Sequence, residues 1–124
     1  MIVELSIHAP RQVRESLDRY EGGIEARLLD DLRLVSSELV SNAVLHSGRE
    51  QGDPIEYRFN ILPGKLRVQV LDQGTGAPHL KPRAPESGLG VVETISDRWS
   101  SDTDGSFNVW VEIDTEPILI TRAA

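Results

Sequence analysis

A chain of 124 residues, 39% hydrophobic and 27% charged, fits one folded domain spanning residues 1–124 and excludes a disordered polyelectrolyte. The absence of cysteine excludes disulfides and thiolate metal sites, and suits a reducing cytoplasm. A formal net charge of −7 repels nucleic acid and anionic membranes at long range, so neither is an expected partner; backbone N–H groups and a divalent cation can still hold an anionic nucleotide locally.

The opening segment, MIVELSIHAP, has no basic stretch ahead of a long apolar run, so no signal peptide is expected. No stretch approaches the roughly 18 apolar residues of a membrane span. Residues 2–7 alternate, with Val3, Leu5 and Ile7 on the apolar side of an expected strand. Pro10 fits the first turn of a helix running to about Tyr20, and Glu21-Gly22-Gly23 ends it. A longer helix is expected from about Glu25 to His46. Leu28, Leu32, Val35, Leu39 and Ala43 form its apolar stripe, while Leu29, Val40 and Val44 make the C-terminal half apolar nearly all round. Glu38 and Asn42 stand in that apolar half, one turn apart on the same face.

Ile55, Tyr57, Phe59 and Ile61 form one alternating strand, and Leu66, Val68 and Val70 the next, joined by a Pro63-Gly64 turn. The second strand runs into Asp72-Gln73-Gly74-Thr75-Gly76. Residues 77–86, with Pro78, Pro82 and Pro85, read as a loop. Gly88-Leu89-Gly90 opens a short helix through Val92 and Ile95. A strand near Arg98 to Ser101, a turn at Asp104-Gly105 and a last strand follow; Phe107, Val109, Val111 and Ile113 share one face of that strand. Antiparallel pairs with helices grouped on one side make a two-layer α+β sandwich.

Three segments carry chemistry. In the first, the Asn42 amide oxygen suits Mg²⁺, and the Glu38 carboxylate suits a nucleophile that must be oriented or deprotonated. Both residues equally fit buried, hydrogen-bonded polar groups. In the second, Asp72 at a strand end can accept from an exocyclic amine, and Gly74 and Gly76 let a flat ligand lie against the backbone; a plain glycine turn has the same pattern. In the third, Gly88, Leu89 and Gly90 stand at a helix start, where free N–H groups suit a phosphate, or where glycines simply allow a tight entry.

In this order the three segments resemble the N, G1 and G2 boxes of the GHKL superfamily, which includes gyrase, the MutL repair protein and histidine kinases. Ser37-Glu38-Leu39-Val40-Ser41-Asn42-Ala43-Val44 is most similar to the small bacterial anti-sigma-factor serine/threonine kinases. So are Gly88-Leu89-Gly90 followed by Ser96-Asp97-Arg98-Trp99, and the strand Val109-Trp110-Val111-Glu112. The resemblance runs from about Leu5 to Ile113. It implies a GHKL (Bergerat) sandwich whose mixed, mostly antiparallel sheet carries helices on one face. It implies ATP and Mg²⁺ as cofactors, with Asn42 as metal ligand and Glu38 as general base or orienting carboxylate. Asp72 would read the adenine amino group with Gly74 and Gly76 beside it, Gly88, Leu89 and Gly90 would face the phosphates, and residues 77–87 would form a short lid. The partners implied are a sigma factor, a STAS-type anti-anti-sigma protein as phosphoacceptor, and a second copy of the chain.

Two positions depart from the pattern. Glu86 stands where the G2 box often has glycine, and Asn108 is the best match to a threonine that holds adenine through water. Three activities are therefore compatible with the sequence: a protein serine/threonine kinase, a nucleotide-dependent partner-switching module without kinase activity, and the detached catalytic part of a histidine kinase. The short lid and the absence of a phosphoacceptor helix count against the third. His46 at a helix end and His79 in the loop are read as carbonyl-satisfying and solvated residues. Trp99 and Trp110 are read as packing or partner-surface residues.

Overall fold

The computed structural model describes residues 1–47, 50–72, 89–102 and 107–116. Its elements are β1 (Ile2–Glu4), α1 (Ala9–Ser16), a 3₁₀ turn (Asp18–Tyr20), α2 (Ala26–His46), β2 (Pro54–Leu62), β3 (Lys65–Asp72), α3 (Leu89–Ile95), β4 (Arg98–Asp102) and β5 (Asn108–Asp114). The strands form one sheet in the order β1-β2-β3-β5-β4. All four pairings are antiparallel, so the parallel component expected of a mixed sheet is not found among the described strands.

The period-2 pattern decides which face of the sheet is covered. Tyr57 stands opposite Val70, Phe59 opposite Val68 and Ile61 opposite Leu66. Val68 in turn faces Val111, and Val70 faces Val109. These residues share one face, and α2 packs on it through Leu32, Val35, Leu39, Val40 and Ala43, all buried. α1 packs on α2 and contributes Ala9 and Val13 to the same core. The two-layer α+β sandwich is thus the fold observed. No helix among the described residues is long and apolar enough to cross a membrane.

Local chemistry sets the element ends. The β2–β3 hairpin turns at Pro63-Gly64 with Gly64 at φ +74°, the left-handed value that the third position of a type II turn requires. β1 is shorter than the alternation suggests. The Ser6 hydroxyl accepts the His8 N–H at 3.1 Å and the Ser6 carbonyl accepts from Ala9 at 3.2 Å, which bends the chain toward α1. Leu5 is still covered, but Ile7 is 82% exposed rather than part of the apolar face. α1 likewise stops before Tyr20. The Ser16 hydroxyl donates to the Val13 carbonyl at 2.6 Å, and Leu17 and Tyr20 bond three residues back, so the last turn tightens into 3₁₀ geometry.

On the uncovered face, Glu112 of β5 is only 5% exposed. Arg98 (3.0 Å), Arg67 (3.1 Å) and Lys65 (3.2 Å) converge on it from β4 and β3, and the Arg67 guanidinium stacks 4.6 Å above the Trp110 ring. The Arg98 hydrogen bond, assisted by Lys65 and Arg67 and opposed by desolvation, holds the carboxyl down to about 2 from an ordinary 4.5. A carboxyl depressed in the folded state stabilises the fold fully above its unfolded pKa of 4.5, and that contribution disappears as pH falls toward about 2. Glu112→Gln is therefore expected to lower stability at pH 7 by about 1–2 kcal/mol, discounted for the partly exposed cations. The difference from wild type should close between pH 4.5 and 2 in urea titrations, and it should shrink in 1 M salt, where screening acts within about 3 Å. A wild type and variant with parallel acid limbs would show that the cluster contributes nothing.

Candidate functional site

α2 is a helix of 21 residues whose apolar positions hold it between α1, the sheet and α3. Its packing fixes the angular positions of Glu38 and Asn42. Asn42 is 1% exposed and Glu38 half-buried. The C-terminal half of α2 is not apolar and buried all round, as its composition suggests. Leu34 is 43% and Leu45 64% exposed, so a narrow face containing Leu34, Glu38, Ser41 and Leu45 stays open.

Asp72 ends β3 on the covered face, opposite Ile55, and is 6% exposed. Its backbone N–H donates to the Phe107 carbonyl at 2.9 Å, and the Phe107 N–H donates to Asp72 Oδ2 at 3.3 Å. The carboxylate is thereby held by the main chain of the segment leading into β5. With two oxygens and about four acceptor sites, a carboxylate so placed can take a further donor such as an exocyclic amine. α2 packs against both β3 and α3. That packing sets the helix of Glu38 and Asn42 beside the strand ending in Asp72 and the short helix containing Gly90.

Gly90 lies in the first turn of α3, where N–H groups have no intrahelical acceptor. A Cβ added at Gly90 would meet no heavy atom of the described residues within 4 Å. The Leu89 backbone begins α3 as expected; its side chain lies outside the described residues, as does that of His46. Gly74, Gly76, Gly88, Glu86, His79 and the expected lid at residues 77–87 also lie outside them.

Asn108 is not part of this arrangement. It pairs with Leu71 across the β3–β5 ladder, and its Oδ1 accepts from Gln69 Nε2 at 2.9 Å on the uncovered face of the sheet. Asp72 and the fully buried Phe107 are on the other face. The side chain beside Asp72 is thus that of Phe107, and the proposed adenine contact through Asn108 is withdrawn. The signal was present in the sequence: Phe107, Val109, Val111 and Ile113 on one face force Asn108 onto the opposite one.

A cleft of about 450 Å³ opens at the other end of α2, bordered by Gly22, Ile24, Glu25, Leu29, Asp30 and Arg33. Arg33 is already engaged by Asp18 at 2.7 Å and Glu21 at 2.7 Å, and the remaining carboxylates there disfavour a phosphate. That cleft is therefore a poor phosphate site, and Glu38, Asn42 and Asp72 remain the candidate side chains. Among the described residues no group of three His, Cys, Asp or Glu could hold a metal ion. A Mg²⁺ that keeps its waters and takes phosphate oxygens needs only one or two protein oxygens, so the Asn42 amide fits that demand.

A family model described as the histidine kinase-like ATPase domain matches residues 4–111. The chain belongs to that family. Curated proteins yield no match. Among solved structures the chain is similar to the crystal structure of the RsbU and RsbW domains of Rv1364c from Mycobacterium tuberculosis, with TM-score 0.64 and 20% identity over 98% of this chain and 34% of that one. This chain spans about a third of that protein's crystallised length. At this identity the likeness establishes a shared fold.

Proposed function

We propose that this chain binds Mg²⁺-ATP, transfers the γ-phosphoryl group to a serine or threonine of a STAS-type anti-anti-sigma protein, and sequesters a sigma factor. The observation that carries the proposal is the buried amide of Asn42 one turn from the half-buried carboxylate of Glu38, on the helix packed against the strand that ends in Asp72. Membership of an ATPase-domain family and a fold shared with a structure containing an RsbW domain support it. Mg²⁺, held by the Asn42 side-chain oxygen, would neutralise phosphate charge. Glu38 would orient or deprotonate the acceptor hydroxyl, and Asp72 would accept from the adenine amino group. Gly88 and Gly90, with the N–H groups of α3, would face the phosphates, with Gly74 and Gly76 beside the base. Phosphoryl transfer asks mainly for such positioning and charge neutralisation. A homodimer in a cytoplasmic setting completes this reading.

The test is to incubate the protein with Mg²⁺-ATP and each STAS-domain protein encoded in the same genome, then to locate phosphoserine or phosphothreonine by mass spectrometry. Transfer to one of them supports the kinase. The second reading, a partner-switching module without kinase activity, is favoured by Glu86, whose carboxylate replaces a glycine expected near the phosphates. It predicts no transfer, but different affinities for a partner in ATP and in ADP.

Asn42→Ala is expected to abolish the dependence of nucleotide affinity on Mg²⁺ while circular dichroism stays native. Calorimetric titrations with and without EDTA check this. Full metal dependence in the variant would reduce Asn42 to a core hydrogen-bonding residue.

A further inference from the structure

Ser36 stands in the apolar stripe that α2 turns toward the sheet. At 100° per residue Leu29, Leu32, Leu39, Val40 and Ala43 all lie within about 60° of it, and all are buried. Ser36 is itself fully buried, and its hydroxyl meets the Tyr57 hydroxyl at 2.8 Å. Tyr57 belongs to β2 and is almost fully buried, so the bond joins helix to sheet inside the core. Burial pushes the Tyr57 phenol well above its ordinary value, with the Ser36 bond opposing, so both groups stay neutral at working pH. Such a pair adds little net stability, because each hydroxyl gives up water to enter the core. It differs from the packing around it in being directional. Apolar cores of the right volume tolerate several arrangements and lose uniqueness before stability, whereas a buried polar pair can select one register.

We propose that the Ser36–Tyr57 hydrogen bond is the pin that fixes the rotation and axial position of α2 on the sheet, and so places the Asn42 amide for Mg²⁺. Ser36 and Tyr57 are positioning residues that act through Asn42. The inference rests on the reading that Asn42 holds Mg²⁺ beside ATP. Asn42 follows Ser36 by roughly 9 Å along the axis and about 120° around it. One helix carries both, so a turn at Ser36 is a turn at Asn42. With side-chain ends roughly 5–6 Å from the axis, a turn of about 15° moves them by about 1.5 Å. That exceeds the tolerance of about 0.5 Å within which a working site must be held, and a misplacement of about 1 Å can cost about 100-fold. The bond thus contributes little to stability and much to placement.

The experiment compares wild type with the double variant Ser36→Ala/Tyr57→Phe, with Ser36→Ala alone, and with Ile113→Ala, a core truncation on β5 away from the pair. Removing both hydroxyls strands neither in the core, so the double variant should keep a Tm close to wild type. Calorimetry gives ATP affinity in Mg²⁺ and in EDTA. Amide NMR spectra give the Asn42 side-chain signal, assigned by its loss in Asn42→Ala. The expected result for the double variant is an unchanged affinity in EDTA and a Mg²⁺-dependent gain reduced about 10-fold, the usual cost of losing a group that orients a metal ligand. Its Asn42 signal should move while that of Asn108 on β5 stays. Ile113→Ala should lower Tm but keep the gain and the Asn42 signal. A double variant with the wild-type gain or the wild-type Asn42 signal overturns the inference, as does an equal loss in Ile113→Ala, the mark of general loosening. If wild type binds ATP equally with and without Mg²⁺, the reading of Asn42 as metal ligand fails instead. The pin is then judged on the amide signal alone: movement at Asn42 but not at Asn108 sustains it, and an unmoved signal overturns it. If the double variant does not fold, Ser36→Ala alone is read by the same outcomes.

Discussion

Replacing Glu38 by alanine is expected to slow phosphoryl transfer to the acceptor about 100- to 10,000-fold, the usual cost of removing a general base. Nucleotide affinity should stay within about two-fold of wild type, since a group acting on the incoming hydroxyl contributes little to ground-state binding of ATP. Glu38 is half-buried on α2, one turn before the buried Asn42. Alanine is also the better helix former, so the fold should not suffer. Single-turnover assays with saturating Mg²⁺-ATP separate the chemical step from binding. Transfer at the wild-type rate would remove Glu38 from the reaction and leave it a surface carboxylate.

Truncating Phe107 to alanine is expected to cost about 3–5 kcal/mol, the range for a buried phenylalanine that leaves a cavity. That is a large share of the 5–15 kcal/mol that typically holds a domain together. Phe107 is fully buried, and its backbone closes two hydrogen bonds with Asp72. The same change should therefore reduce nucleotide affinity by loosening the carboxylate. Urea titration reads the first effect as a lower midpoint with an unchanged slope. Phe107→Leu, which keeps most of the volume, should recover most of both. A midpoint unmoved by Phe107→Ala would mean that this end of the sheet is not part of the cooperative core.

Much of this was legible in the sequence. Alternation in residues 55–61, 66–70 and 107–113 placed three strands and their inner faces, because a half-buried antiparallel strand must show period 2. The Pro63-Gly64 turn fixed the register of the hairpin. The apolar stripe of α2 located the helix to within a residue at its start. What failed depended on chain geometry beyond the local pattern. Ile7 follows the alternation, yet Ser6 turns the chain before it can reach the core. Asn108 matched by position in a motif while the ladder register sent its side chain to the wrong face. The openness of Leu34 and Leu45 depends on how α1, α3 and the sheet share the circumference of α2, which no single helical wheel contains. The convergence of Lys65, Arg67 and Arg98 on Glu112 is likewise a property of strand order, with β5 between β3 and β4.

The central claim is that a nucleotide binds where α2 meets the end of β3. Thermal unfolding in Mg²⁺-ATP, for wild type and Asp72→Asn, tests it most directly. A ligand present at 100 times its dissociation constant adds about 2.7 kcal/mol to the stability of a protein that binds it only when folded. The expected result is a clear rise in wild-type Tm, larger with Mg²⁺-ATP than with Mg²⁺-GTP, and a variant that folds as well but loses most of the shift. The adenine amino group would then have lost its acceptor at Asp72. A wild-type Tm that does not move in millimolar Mg²⁺-ATP, or a shift that survives intact in Asp72→Asn, would contradict the claim.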